Sequence, residues 1–431
     1  MAQDARADAA LKLTEIIVRE RTTDQVFDSS SPASPLVTEL VYGTLRHYMA
    51  LAHVVREQLQ KPLRNSDMDV FHLMMIGLYQ RHFTRIPDHA AVNETVAAAK
   101  HLKKPWARGL INAVLRRAPN PEPSFEHPDW FQDELTSCVK AQAPSILAAN
   151  LERAPMAIRI NLEQISRTDY LGKLKATGIG VHDPIADTIA GDERSGWGPE
   201  TLILKTPVPS RVLPGFNEGL VSIQDGGAQL LPGILFPESC TPMSTLLDAC
   251  AAPGGKLFHL LERFPGLRVT AIDRSSRRMD MLTQESRRLK APAFTSIVAD
   301  AIADTWWDGT LFDNILLDAP CSGSGTIRRH PEIKLLRQRK SLPVYAETQT
   351  QLLKMLWAKL KPGGVLVYCT CSLFEVENDG VIGRFLQEQT DARLQPLSVC
   401  TGVKTAFGWQ LLPTNPQTDG FYFSRLTKAD P

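Results

Sequence analysis

The sequence predicts a multidomain chain: an all-α bundle, a small α+β linking domain, and an α/β domain with a mostly parallel sheet. Three observations carry this reading. Up to about residue 120, apolar residues recur at three- and four-residue spacing. Directly after, APNPEPSFEHPDW packs Pro119, Pro121, Pro123 and Pro128 into thirteen residues, the composition of a linker. From about residue 244, apolar β-type runs alternate with helical segments, the pattern of a parallel sheet covered on both faces. A chain of 431 residues exceeds one ordinary domain, and the boundaries are placed at 1–125, 126–238 and 239–431.

The helical region consists of LVTELVYGTLRHYMALAHVVREQL, DVFHLMMIGLYQRHF, AVNETVAAAKHL and ARGLINAVLRRA, separated by turn-forming breaks such as KPLRNSD, RIPDH and KKPW. The middle region reads as a helix around SILAANLE, a strand at MAIRIN, and short strands near TLILK and GLVSIQD. Neither region shows a catalytic constellation.

Composition bounds the function. Hydrophobic residues make up 43% and charged residues 22%, the balance of a globular protein with ample core. No run is apolar enough to span a membrane, and the amino-terminal stretch has no signal-peptide pattern, so a cytoplasmic location is expected. Seven cysteines are too few for a disulfide scaffold. Net charge is only +1, but Arg328, Arg329, Lys334, Arg337, Arg339 and Lys340 face the single acid Glu332 within residues 321–340. Lys100, Lys103, Lys104, Arg108, Arg116 and Arg117 form a second basic cluster. Each cluster alone reads as a solvated helix face; two together point to a polyanion.

In the α/β region, four of five β-type runs end in an aspartate: Asp248, Asp273, Asp300 and Asp318. The fifth ends in VYCTCS. Ligands of open α/β sheets sit beyond the carboxyl ends of the strands, so these endings are expected to share one rim. The loop DACAAPGGK, residues 248–256, is built from small residues and leads into a helix whose first N–H groups are free. It lacks the GK[ST] ending of a triphosphate loop, because Leu257 follows Lys256. A nucleotide-like cofactor fits it. Asp273 is placed like an acid that binds ribose hydroxyls, and Asp300 either accepts from an adenine amine or caps a helix.

LLDAPCSGSGTIRRHPEIK sets an acid, Asp318, and a thiol, Cys321, on a tight turn before basic residues. Such a turn suits a base withdrawn from RNA, with Arg328 and Arg329 on phosphates. Cys369 and Cys371 admit a metal clip, a redox pair, core packing or a nucleophile. A zinc site needs four ligands, and no His–Cys pair supplies the rest, so no metal is expected. Redox pairs usually read CxxC. Cys369 belongs to the apolar run and is expected in the core, whereas Cys371 falls past the strand end, on the rim with Asp318 and Cys321.

DACAAPGGK, AIDRS, FDNILLDAPCSGSG and LVYCTCSLFEVEN, in that order, resemble the motifs of the S-adenosylmethionine-dependent RNA cytosine-C5 methyltransferases across residues 244–431. LVYGTLRHY, IPDHAAVNE and GLINAVLRRA are similar to the NusB-like RNA-binding bundle. HPDW, APMAIRIN and SIQDGGAQL resemble the linking RNA-binding domain of the same family, and the three-part layout is that of the bacterial 16S ribosomal RNA methyltransferases of the Fmu/Sun type. The resemblance implies a Rossmann-like class I methyltransferase domain. It implies cofactor contacts at Cys250, Ala251, Ala252, Pro253, Gly254, Gly255, Lys256, Asp273, Asp300 and Asp318. It further implies a nucleophile at Cys371 and a helper at Cys321. Two departures stand out: Leu257 replaces a usual Thr, and Ala157 replaces a usual Trp.

The residue types suit the chemistry so implied. Cytosine C5 is a poor nucleophile; addition of a Cys371 thiolate at C6 makes it enamine-like. Asp318 is expected on the N3/N4 edge, Cys321 at the release step, and Arg328, Arg329 and Lys334 on RNA, with Arg328 or Lys334 also lowering the thiol pKa from about 8.5. The expected partner is 16S rRNA before full subunit assembly, met by a monomer with no obligate protein partner. Transfer RNA is the alternative substrate within the same chemistry. A non-catalytic RNA-binding or antitermination factor is the alternative class, and its expected marks, a lost Cys371 or a broken loop, are absent.

Overall fold

The computed structural model of the chain describes residues 4–27, 33–122, 126–184, 196–237 and 243–430. Pro123 of the linker and the expected boundary residues 125 and 238 lie outside them. The chain divides into two compact units. One runs to Arg153 and includes Ile327–Arg339; the other comprises Ala154–Thr326 and the chain from Lys340.

The first unit is helical. Its helix Met68–Phe83 is buried continuously from Val70 to Gln80, so it forms the central rod against which the amphipathic helices Ala5–Val18, Pro35–Arg46 and Asp88–Ala98 place their apolar faces. Asp4 caps the first helix by accepting from the N–H groups of Arg6 and Ala7. The pattern over residues 36–59 reads as one helix, but the structure breaks it at His47 into Pro35–Arg46 and Tyr48–Gln58. There the His47 ring stacks on Phe83, and its Nδ1 lies 2.7 Å from Glu126 Oε1.

The segment Ile327–Arg339 belongs to this unit, which corrects the expectation of an open basic face. Lys334 is 1% exposed, and its ammonium donates to the carbonyls of Arg46 and Glu126 at 2.6 and 2.7 Å. Glu332 accepts from Thr23 N and Oγ1 at 3.0 and 2.8 Å. Arg328 is 3% exposed. Neither Arg328 nor Lys334 is therefore open to an RNA phosphate; Arg329 keeps part of its surface.

The second unit holds two sheets. In the smaller, β1 (Met156–Ile160), β2 (Val181–His182), β3 (Thr201–Leu204) and β4 (Val221–Ile223) are antiparallel in the order β2-β3-β1-β4, over a core of Ile158, Ile160, Tyr170, Leu174 and Leu202. The strands expected at MAIRIN, TLILK and GLVSIQD are all present.

Among the described residues the larger sheet has nine strands: β5 (Thr245–Ala249), β6 (Arg268–Asp273), β7 (Thr295–Val298), β8 (Phe312–Asp318), β9 (Leu360–Thr370), β10 (Ala392–Gln395), β11 (Val403–Lys404), β12 (Trp409–Leu411) and β13 (Phe421–Lys428). The five expected strands are parallel in the order β7-β6-β5-β8-β9. An antiparallel edge follows, in which β13 pairs with β9, β12 and β10. Side chains alternate between the two faces: Leu246, Leu316 and Val367 enter one core, and Leu247, Leu317, Leu366 and Tyr368 the other. The chain winds outward through β5, β6 and β7, then returns to lay β8 beside β5. That reversal makes a topological switch point, where a crevice opens at the carboxyl ends.

Candidate active site

The rim at this switch point collects the sequence-expected groups. Asp273 and Asp318 are the last residues of β6 and β8, Asp248 is the penultimate residue of β5, and Asp300 lies two residues past β7. A cavity of 260 Å³ is lined by Cys250, Asp273, Asp300, Asp318, Cys321 and Cys371, among others. A larger cavity, 540 Å³, opens at the opposite ends of the strands around Thr245, Arg268, Trp306 and Trp307, and holds none of these groups.

The loop after β5 is shaped by backbone constraints. Gly254 has φ 106° and a Cβ there would overlap the Phe258 ring, so only glycine serves. Gly255 opens the helix Gly255–Arg263, and a Cβ on it would meet no atom within 4 Å. Open space beside a helix N-terminus fits a cofactor whose body approaches the backbone. Asp273 organises the loop: its carboxylate accepts from Ala252 N at 3.3 Å and Ser275 N at 2.9 Å, and pairs with Arg278 at 3.1 Å. Asp300 is exposed; one oxygen accepts from Ile302 N at 3.0 Å, the turn-capping alternative, while the residue also lines the cavity.

Lys256 reaches Asp318 rather than the cavity, its Nζ 2.6 Å from Oδ2. Burial pulls the ammonium down, but Asp318 and the thiols Cys369 and Cys371 outweigh it and hold Lys256 above the ordinary lysine range. Lys256 thus interacts electrostatically with Cys371. Within the helical unit, Lys334 is committed to two carbonyls and Arg328 is buried.

The cysteines separate as expected. Cys369 is fully buried in β9 and donates to Asp318 Oδ1 at 3.4 Å; burial, then the Asp318 carboxylate, push its thiol well above the ordinary value. Cys371 lies one residue past β9, half-buried at the cavity. Its Sγ is 3.4 Å from Cys321 Sγ. The hydrogen bond with Cys371, then burial, raise the Cys321 thiol well above its ordinary value. Cys321 is therefore held protonated beside Cys371. Among the described residues no cluster of three or more His, Cys, Asp or Glu could hold a metal, and no helix is long and apolar enough to cross a membrane.

Two groups escaped the sequence reading. In the middle region, Arg159 is 1% exposed; it grips Glu262 with Nε and Nη2 at 2.8 and 2.9 Å, and its Nη1 donates to Gln224 Oε1 and to the Gly255 carbonyl at 2.6 and 2.9 Å. An arginine inside the apolar strand MAIRIN was the available signal. The second is Glu377, a buried acid behind the cysteines; it lies six residues past Cys371 among Glu375, Asn378 and Asp379, so no local pattern set it apart.

Comparison with known proteins agrees with this architecture. Residues 238–427 match the family described as 16S rRNA methyltransferase RsmB/F, residues 3–120 the NusB family, and residues 127–210 the RsmF/B-like ferredoxin-like domain. The chain is 39% identical to the probable ribosomal RNA small subunit methyltransferase B of Coxiella burnetii over 99% of both chains. It is 41% identical to the ribosomal RNA small subunit methyltransferase B of Pseudomonas putida, over 91% of this chain and 90% of that one. The solved structure of PH0851 superposes with a TM-score of 0.83 over 99% of this chain and 100% of that chain, at 22% identity, which speaks to the fold alone. The helical unit is NusB-like, the large sheet is a Rossmann-like methyltransferase domain, and the chain belongs to the RsmB/F family of 16S rRNA methyltransferases.

Proposed function

We propose that this chain transfers a methyl group from S-adenosylmethionine to C5 of one cytidine in 16S rRNA, through a covalent bond between Cys371 Sγ and cytosine C6. The observation that carries this reading is the pair of thiols 3.4 Å apart on the wall of one cavity with Asp318. The family match supports rRNA methyl transfer; the base, the ring position and the adduct are the proposal.

When bound, the cofactor supplies an electrophilic methyl group. Cys250, Asp273 and Asp300, which line the cavity, would hold it, with the backbone of residues 251–255 beside the open space at Gly255 and Lys256 acting through Asp318. The Cys371 thiolate, beside the Lys256 ammonium, adds to C6 and moves the ring electrons toward C5. Asp318 accepts from the exocyclic amine and fixes the ring edge. After methyl transfer, C5 bears a proton that must leave before the C6–S bond breaks. Cys321 is the base for that step. While Cys371 is charged it raises the Cys321 thiol; once Cys371 is bonded to carbon its charge is gone, and Cys321 releases its proton more readily. That proton passes to solvent through the cavity; the Cys321 thiolate then takes the C5 proton, the C–H electron pair re-forms the C5–C6 double bond, and the C6–S bond breaks to expel Cys371 as thiolate. We place the reaction in the cytoplasm, on RNA not yet fully assembled, and retain the three-domain division at residues 125 and 238 as part of the proposal.

Bisulfite mapping of ribosomal and transfer RNA, with and without this gene, tests the assignment. Loss of a single modified cytidine in 16S rRNA is expected. Loss confined to transfer RNA, or no loss at all, would overturn it.

A further inference from the structure

The two reactive thiols sit on separate loops, one after β8 and one after β9, fifty positions apart in the chain. Glu377 lies between these loops and is fully buried. Its Oε1 accepts from Ser322 N at 2.8 Å and Gln349 Nε2 at 3.2 Å; its Oε2 accepts from the hydroxyls of Ser322 and Ser372, both at 2.6 Å. Ser322 directly follows Cys321, and Ser372 directly follows Cys371. Gln349 also donates to the Pro320 carbonyl at 2.9 Å, so the carboxylate is tied to both sides of Cys321. Further bonds close the junction: Gly325 N donates to the Cys371 carbonyl at 2.9 Å and Leu373 N to Ser324 Oγ at 2.9 Å.

Burying a carboxylate is costly unless its lone pairs are met by donors. Here four donors meet it, two per oxygen, and the side chain does not line the cavity. Burial raises the Glu377 carboxyl, and the bonds from Ser322, Ser372 and Gln349 oppose that. A neutral residue could fill the same volume at less cost, yet only a carboxylate offers two acceptor oxygens, one for both serine hydroxyls and the other for Ser322 N and Gln349 Nε2.

We propose that Glu377 is a positioning residue that sets the spacing and facing of the Cys321 and Cys371 thiols by gripping the residue after each. The inference rests on the chemistry proposed above for those thiols. It acts through Ser322 and Ser372 and touches neither substrate nor cofactor. Glu377→Gln keeps the volume but turns an NH2 donor toward either the two serine hydroxyls or the Ser322 N–H and the Gln349 amide, so half of the four contacts are lost. Glu377→Ala loses all four.

The test reads the thiol geometry directly. In the purified full chain, diamide removes two electrons and two protons from a pair of adjacent thiols and leaves a disulfide; peptide mapping identifies which cysteines are joined. The Cys321–Cys371 link is expected to form readily in the wild type. In Glu377→Gln, with unchanged circular dichroism, it is expected to form at least about 10-fold more slowly, within the roughly 10²-fold that misplacement by about 1 Å can cost. Methyl transfer in single turnover should slow by a similar factor with KM for S-adenosylmethionine unchanged, and Ser372→Ala should reproduce part of both effects. A link forming at the wild-type rate in Glu377→Gln and Glu377→Ala would overturn the positioning role. A slowed link in a protein that modifies no cytosine would sustain the positioning role and overturn only the proposed reaction.

Discussion

Arg159→Met removes a buried side chain that joins the small sheet to the start of the helix Gly255–Arg263. Four donor contacts vanish: two to Glu262, one to Gln224 and one to the Gly255 carbonyl. Glu262, whose side chain is 9% exposed, is left as a buried carboxylate without its partner. Breaking a buried pair from one side costs about 3–5 kcal/mol. The orphaned Gly255 carbonyl still has Gln224 Nε2 at 3.2 Å, so its share is small. A loss of about 4 kcal/mol corresponds to a fall of roughly 8–16 °C in melting temperature for a unit of this size. Gly255 also loses an anchor, so cofactor affinity should fall roughly fivefold, about 1 kcal/mol. Differential scanning calorimetry and titration with S-adenosylhomocysteine read the two effects. Lysine at this position cannot reproduce the two-pronged grip and should recover little. An Arg159→Met protein with wild-type melting and affinity would refute the reasoning.

Other outcomes follow from particular contacts. Gly254→Ala forces a side chain into a left-handed backbone against Phe258, costing at least about 1–2 kcal/mol, whereas Gly255→Ala meets no atom and should leave melting intact while weakening cofactor binding; equal effects of the two on binding and melting would contradict the assignment of that space to the cofactor. Lys334→Met should leave the salt dependence of rRNA binding unchanged, because the ammonium is spent on two carbonyls; a slope reduced by about 1 would mark it as a phosphate contact after all. His72, held between Thr14 and Tyr48, and His127 are both pulled down by burial, to about 3 and about 2. The unfolded chain takes up protons below about 6.5 that these folded rings refuse. The helical unit should therefore lose stability as pH falls from there toward the folded values, by about 1.4 kcal/mol per pH unit per ring. A melting temperature of the helical unit that stays flat from about pH 6.5 to 4.5 would contradict it.

Much of the catalytic rim was legible because a parallel strand is self-describing. Its apolar run is continuous, and the first polar residue after it marks the carboxyl end, as at Asp273 and Asp318. The separation of Cys369 from Cys371 followed from the same rule: one residue inside the run is core, the next alternate residue is rim. The antiparallel edge was harder to read, since β11 and β12 span two and three residues and carry no period of their own. Lys334 was misread for a different reason. A basic stretch looks the same whether solvated or buried, and what distinguishes the two is the acceptors, here the Arg46 carbonyl 288 positions away. Arg159 and Glu377 share that difficulty: each is defined by partners brought from other elements, and no local pattern encodes them.

In the proposed reaction Cys371 adds to one cytosine and Cys321 releases the product. The most direct measurement incubates Cys321→Ala with 16S rRNA and S-adenosylmethionine and resolves the mixture on a denaturing gel. A covalent protein–RNA band is expected, absent when Cys371→Ser is added to the same protein. Free protein alone in the Cys321→Ala lane, or full methyl transfer by Cys371→Ser, would contradict the account.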